Sequence, residues 1–171
     1  MPSSDPIDDP LISTFGRLLE AYTRLERQLG TAMQAEAGIP HAWFETLLRL
    51  ARSKDGQLTM SALADQVALT TSGTTRLVDR IAAAGYIERR PCPADRRVSY
   101  AAITEAGREV LDRAAIPHAR NLRVAFAAFS DADADALDDL LDRLRKTAPD
   151  SPRADTEPVT QRRHLAAPSR H

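Results

Sequence analysis

The stretch that most constrains this chain runs from Leu69 to Arg97, LTTSGTTRLVDRIAAAGYIERRPCPADRR. Thr70, Thr71 and Ser72 offer hydroxyl side chains suited to capping a helix start. Thr74, Leu77, Val78 and Ile81 then recur at helical spacing on one face, with Ser72, Thr75, Arg76, Asp79 and Arg80 on or beside the other. Gly85 is the expected left-handed stop. Ile87 to Arg90 and Val98 to Ile103 read as two strands, joined by a proline-flanked tip that ends in Asp95, Arg96 and Arg97. A helix that runs directly into a tight hairpin must bury its apolar face on helices supplied from elsewhere. Ser61 to Val67 (SALADQV) is the nearest, a short helix with Leu63, Ala64 and Val67 facing inward. A short helix, a tight connection and a hydroxyl-started second helix describe a helix-turn-helix.

The flanking chain is helical. Leu11, Phe15, Leu18, Leu19, Tyr22, Leu25 and Leu29 form one apolar stripe on a long helix ending near Gly38, and a full apolar face on so long a helix needs a partner surface. Pro40 suits the first turn of a second helix carrying Trp43, Phe44, Leu47, Leu48 and Leu50, followed by a short extended link at Leu58 and Thr59. Thr104 caps a further helix whose pattern continues past Pro117, where a kink or a split is expected. Ser130 and Asp131 open a last helix with Leu137, Leu140, Leu141 and Leu144 on one side. The fold class is therefore mainly α with a small β-hairpin. Residues 1–10 and 147–171 read as disordered on composition, leaving one domain over 11–146, with the helix-turn-helix and hairpin at about 41–103.

The chain has 171 residues, enough for a real core. No run of eighteen apolar residues suggests a transmembrane helix, and the acidic, proline-rich start MPSSDPIDDP does not read as a secretory signal. A single cysteine, Cys92, excludes an internal disulfide and a cysteine-based zinc cage, and fits a cytoplasmic protein. The net charge of −1, taken alone, argues against a nucleic-acid binder. Its distribution argues the other way. Residues 71–97 hold six arginines against three acids, about +3, while residues 131–145 hold six aspartates against two arginines, about −4.

Reading DNA needs short hydrogen-bonding groups near a helix start and arginines that reach guanine edges or phosphates. Thr71, Ser72, Thr75, Arg76 and Arg80 meet that need. Gly73 costs helix stability, about 1 kcal/mol relative to alanine, which close approach to a phosphate backbone would justify. An arginine on a thin projecting loop suits the narrow, electronegative minor groove, and Asp95 beside Arg96 and Arg97 makes sense as a brace for one guanidinium.

The segment LTMSALADQVALTTSGTTRLVDRIAAAGYIERRPCPADRRVSYAAITEAGREVL resembles the winged helix-turn-helix core of MarR-type transcriptional regulators. The resemblance rests on TRLVDRI followed by Gly85, on Asp95-x-Arg97, and on the ITEAG helix start at Ile103 to Gly107. It implies a homodimer built from N- and C-terminal helices (11–37 and 104–146), with the second helix of the pair in the major groove and Arg97 in the minor groove. It implies a palindromic double-stranded DNA operator, more often repression, and release by a small effector, typically a phenolic or aromatic acid. Thr74 and Val98 depart from the family pattern, where an aliphatic residue and a glycine are usual.

The resemblance places the effector crevice beside the HAWFETLLRL helix. Trp43 and Phe44 would supply apolar walls there, and His41, Glu45 and Arg49 would orient a polar group. The plainer alternative has both aromatics in the core and Glu45 paired with Arg49. Cys92 among arginines is either an ordinary residue of the wing or an oxidant sensor. The four histidines have no evident metal partner at i+3 or i+4, so no metal and no cofactor are expected. DADADALDDLLD lacks the glycine and terminal glutamate of a calcium loop. No catalytic constellation is visible, so an enzyme is not expected. A winged-helix docking module that no longer reads DNA is the rival reading.

Overall fold

The computed structural model describes residues 5–67, 71–92, 95 and 98–147, with the Thr71 side chain left out. The expectations for residues 1–4, Thr70, Arg96, Arg97 and 148–171 lie outside the described residues. The order of elements is α1 (Pro10–Ala37), α2 (His41–Arg52), β1 (Gln57–Thr59), α3 (Met60–Val67), α4 (Thr71–Ala83), β2 (Ile87–Pro91), β3 (Ser99–Ile103), α5 (Glu105–Ala125) and α6 (Asp131–Thr147). The chain divides into two units, 1–128 and 129–171. Among the described residues no helix is long and apolar enough to cross a membrane.

In the first unit, order begins before Leu11. Asp5 accepts a hydrogen bond from the Ile7 amide at 3.1 Å over a short 3-10 turn, and Asp9 accepts from the Leu11 amide at 2.8 Å. Two aspartate caps, each followed by a proline at the helical start, favour these two helical turns. Gly38, at φ 71°, ends α1 in the left-handed conformation. Pro40 stands one residue before α2, at its N-cap, rather than within its first turn.

Leu58 and Thr59 belong to a third strand, not a free link. β1 and β2 both pair antiparallel with β3, giving the order β1-β3-β2. The central strand contributes Ala101, Ala102 and Ile103 to the interior. The core gathers Met33 and Ile39, Phe44, Leu47 and Leu50 of α2, Leu63 of α3, and Leu77, Val78 and Ile81 of α4, with Ile87, Val110, Leu111 and Ala114. The face of α4 opposite its exposed polar side chains is thus fully used in packing.

α5 starts where Thr104 accepts from the Gly107 amide at 3.0 Å and donates its own amide to the Tyr86 carbonyl at 3.1 Å. A Cβ at Gly107 would collide with that same Tyr86 carbonyl. The helix runs unbroken through Pro117 to Ala125, so of the kink or split expected there the split does not occur. Proline removes one hydrogen-bond donor, and buried Val110, Leu111 and Ala114 anchor the preceding turns.

In the second unit, α6 opens with a reciprocal cap. Ser130 accepts from the Asp133 amide at 3.2 Å, while Asp133 accepts from the Ser130 amide at 3.0 Å and its hydroxyl at 2.6 Å. Those bonds hold the Asp133 carboxyl below its ordinary range, the hydroxyl contributing most. Near the other end of α6, Lys146 first and then Arg145 do the same for Asp142.

Candidate nucleic-acid interface and the helix crevice

α4 places its polar residues as its spacing requires. Ser72, Arg76 and Arg80 are exposed and Thr75 is half-buried on the helix flank. Thr71 is the first residue of the helix. The basic charge of this region is not uniformly free. Arg89 on β2 pairs with Asp79 on α4 at 2.7 Å, tying the wing's first strand to the helix. Arg90 pairs with Glu88 on the same strand. Among the described residues Arg76 and Arg80 make no ion pair and stay available as cations. Counting charges along the sequence could not separate these two classes, because the acid that neutralises Arg89 lies on another element.

The wing is short. Cys92 donates its amide to the Val98 carbonyl, and Val98 donates to the Asp95 carbonyl, both at 3.0 Å. Asp95 is half-buried at this turn, and the arginines it was expected to brace, Arg96 and Arg97, lie outside the described residues. Cys92 is half-buried and free.

The seat beneath α4 holds one buried polar group. Thr74 is 1% exposed, and its hydroxyl has no hydrogen-bond partner among the described residues. Thr46 on α2 is equally buried but donates to the Ala42 carbonyl at 2.7 Å.

Of the residues expected to line one crevice, His41, Phe44, Glu45 and Arg49 adjoin one another while Trp43 faces elsewhere. Trp43 turns to Tyr86 and meets its ring edge-on, centroids 6.2 Å apart. Phe44 is 2% exposed and belongs to the core. Arg49 is engaged by Glu45 at 2.5 Å and by the Gln66 carbonyl of α3 at 3.0 Å, which is the plainer pairing anticipated from its spacing.

His41 and Glu45 face a different neighbour, one the sequence did not suggest. His118 of α5 sits with its ring 5.2 Å from His41 and 4.6 Å from Phe44. Glu26 of α1 accepts from His41 Nδ1 at 2.9 Å, and His41 Nε2 lies 3.7 Å from Glu45 Oε1. Burial first, then the neighbouring His41, pushes the His118 pKa below its ordinary value, against the opposing pull of Glu45 and Glu26. The expectation that no histidine has a partner at i+4 is thus corrected: Glu45 stands four residues after His41. The only signal for it was a carboxylate on the same helix face, and no periodicity pointed to His118.

A second link between α1 and α5 lies nearby. Asn121 donates to Glu36 at 2.9 Å and Arg120 pairs with the same carboxylate. The Asn121 amide, supported by Arg120, holds Glu36 below the usual carboxylate range.

Comparison with known proteins bears on this geometry. The MarR family profile matches residues 37–98, from the end of α1 to the wing. Sco3205 from Streptomyces coelicolor, a MarR family transcriptional regulator solved in complex with DNA, is 31% identical; the match covers 78% of this chain and 87% of that one, with a TM-score of 0.71. The chain belongs to the MarR family. AbsC, a second MarR family transcriptional regulator from the same organism, is 27% identical, with 81% of this chain and 93% of that one covered at a TM-score of 0.71. Transcriptional repressor MprA of Escherichia coli strain K12 is 28% identical over 107 residues, which is 63% of this chain and 61% of MprA. In MarR-family terms, α3 and α4 are the helix-turn-helix of this chain, and β2 and β3 its wing.

Proposed function

We propose that this MarR-family protein is a dimeric, sequence-specific DNA-binding transcriptional regulator that acts as a ligand-responsive repressor on a palindromic operator. The observation that carries the reading is the separation of arginines on the helix-turn-helix. Arg76 and Arg80 project from α4 unpaired among the described residues, beside the exposed Ser72, while Arg89 and Arg90 are consumed by Asp79 and Glu88. A surface that only needed solvation would have no reason to keep its helix cations free and pair its strand cations. The DNA complex of Sco3205 supports the same use of the fold.

Dimerisation is supported by apolar side chains with no cover. Leu11, Phe15, Leu19 and Tyr22 stand exposed on α1, as do Ile116 and Val124 on α5, and Leu140, Leu141 and Leu144 on α6. Each of these apolar faces calls for a partner on a charged chain, which a second copy supplies symmetrically. Two recognition helices would then lie about one DNA turn apart, on the order of 34–36 Å. Arg97 enters the minor groove in this reading, and the effector acts where His41 and Glu45 join α2 to α5.

Gel shift with DNA upstream of the protein's own gene, against a scrambled duplex of equal length, tests the reading. Selective retardation at physiological salt is expected. Equal affinity for both duplexes, or a monomer by light scattering at the concentrations that retard DNA, would overturn it.

A further inference from the structure

We propose that His41, Glu45 and His118 form a binding site for one divalent transition-metal ion of the zinc class, with Glu26 orienting His41 from behind. One ligand atom from each of the three residues lies within 4.8 Å of the other two. In a tetrahedral site with bonds of about 2.0–2.1 Å, ligand atoms stand about 3.4 Å apart. Side-chain movements of up to about 1.4 Å close the difference.

The tautomer of His41 is already set for this use. Its Nδ1 donates to Glu26, and in a neutral imidazole the other nitrogen then carries the lone pair. That nitrogen, Nε2, is buried and has no hydrogen-bond partner among the described residues, in a side chain only 11% exposed overall. A carboxylate behind a histidine, fixing the ring and raising its basicity, is the usual second partner of a metal-bound imidazole. His118 of α5 brings its ring to 5.2 Å from that of His41, closing the cluster from the opposite helix. Arg49 occupies Glu45 Oε2 and leaves Oε1 turned to the histidines. Two carboxylates, Glu45 and Glu26, balance the charge of a dication.

The donor set selects the ion class. Two imidazoles and one carboxylate suit zinc and its neighbours, whereas calcium and magnesium take oxygen shells. Three protein ligands leave a fourth position for water or a small anion. The consequence for regulation rests on the DNA-binding reading above: an ion joining α2 to α5 favours one spacing of these helices and so changes operator affinity.

The test uses tag-free full-length protein, stripped with chelator and titrated with cobalt(II) as a spectroscopic probe. One equivalent of cobalt per chain is expected, with the visible absorption of a four- or five-coordinate nitrogen/oxygen site, displaced by zinc. His118→Ala and Glu45→Gln should each weaken binding by about tenfold or more, and Glu26→Gln by about 10–100-fold at unchanged stoichiometry. Cys92→Ser and the double substitution His164→Ala/His171→Ala should leave the spectrum as it is. Zinc should raise the melting temperature of the parent but not that of Glu45→Gln, a near-isosteric change that keeps the test valid if His118→Ala fails to fold. No saturable cobalt binding, binding indifferent to Glu45→Gln and His118→Ala, or binding lost with Cys92 or the tail histidines would each overturn the site. Gel shift with and without zinc separates the two proposals. A chain that binds cobalt here but no DNA refutes the regulator and keeps the site; one that binds DNA but no metal refutes the site alone.

Discussion

Glu26 and His41 meet at 2.9 Å across the packing of α1 on α2, and this one bond decides which nitrogen of His41 faces α5. The helix with the large exposed apolar face therefore sets the chemistry of a cluster whose other members, Glu45 and His118, belong to α2 and α5. A change in the spacing of these helices would change the geometry of the cluster.

The arginines of α4 and the wing should differ in kind. Arg76→Ala should cost about 1–3 kcal/mol of operator binding and relax preference at one base pair, if that arginine reads a guanine. Arg97→Ala should weaken all sequences alike and lower the salt-dependence slope by about 0.9 for each phosphate it had neutralised. Fluorescence anisotropy on operator and mismatched duplexes over a salt series checks both. Undiminished operator affinity in Arg97→Ala would count against the wing's role.

The apolar face of α1 should be an interface. Phe15 is 60% exposed and lies outside the core, so Phe15→Glu should leave the helical content of the chain unchanged while shifting it from dimer toward monomer. Operator affinity should fall with it, because one half-site holds weakly alone. Sedimentation of the variant beside the parent measures this, and an unchanged dimer would place the interface elsewhere.

Thr74 should be a stability reserve. Among the described residues its buried hydroxyl has no partner, where Thr46 has the Ala42 carbonyl, and an unsatisfied buried hydroxyl costs on the order of 1–3 kcal/mol. Thr74→Val keeps the shape and should raise stability by about 1 kcal/mol, whereas Thr46→Val should not. Urea midpoints of the two variants decide the matter.

Gly107 should tolerate no side chain. Alanine there drives a methyl into the Tyr86 carbonyl, the acceptor of the Thr104 amide. The backbone must shift, at a cost of about 1–3 kcal/mol, and the junction between wing and α5 shifts with it. Thermal unfolding of Gly107→Ala should show the loss.

The pH dependence of the metal-free protein should carry the mark of His118. Its folded pKa lies below the ordinary value of 6.5, so the unfolded chain takes up the proton more readily. The contribution of the neutral ring is complete above 6.5. It declines as pH falls below that value and is lost as pH passes through the lowered folded value. His118→Gln should flatten that part of the stability profile, measured in chelator between about pH 7.5 and 5.

Local pattern determined much of this protein. The stripe of α1, the left-handed stop at Gly85, the Thr104 cap and the two wing strands all follow from neighbours a few residues apart, because helix and turn energetics act over that range. The same holds for the Glu45–Arg49 pair on one helix face. Tertiary structure alone decided which charges are free and which side chains meet. Asp79 neutralises Arg89 only because β2 folds back along α4, and β1 becomes a strand only because β3 has an edge to offer. Phe44 is core while Trp43 turns away to Tyr86, a division that depends on what packs beside α2. His118, beyond Pro117 in a helix that no spacing rule connects to α2, reaches His41 through packing of α1, α2 and α5. Such contacts are long in sequence and short in space, and their energies arise only when the apolar faces of these helices have closed.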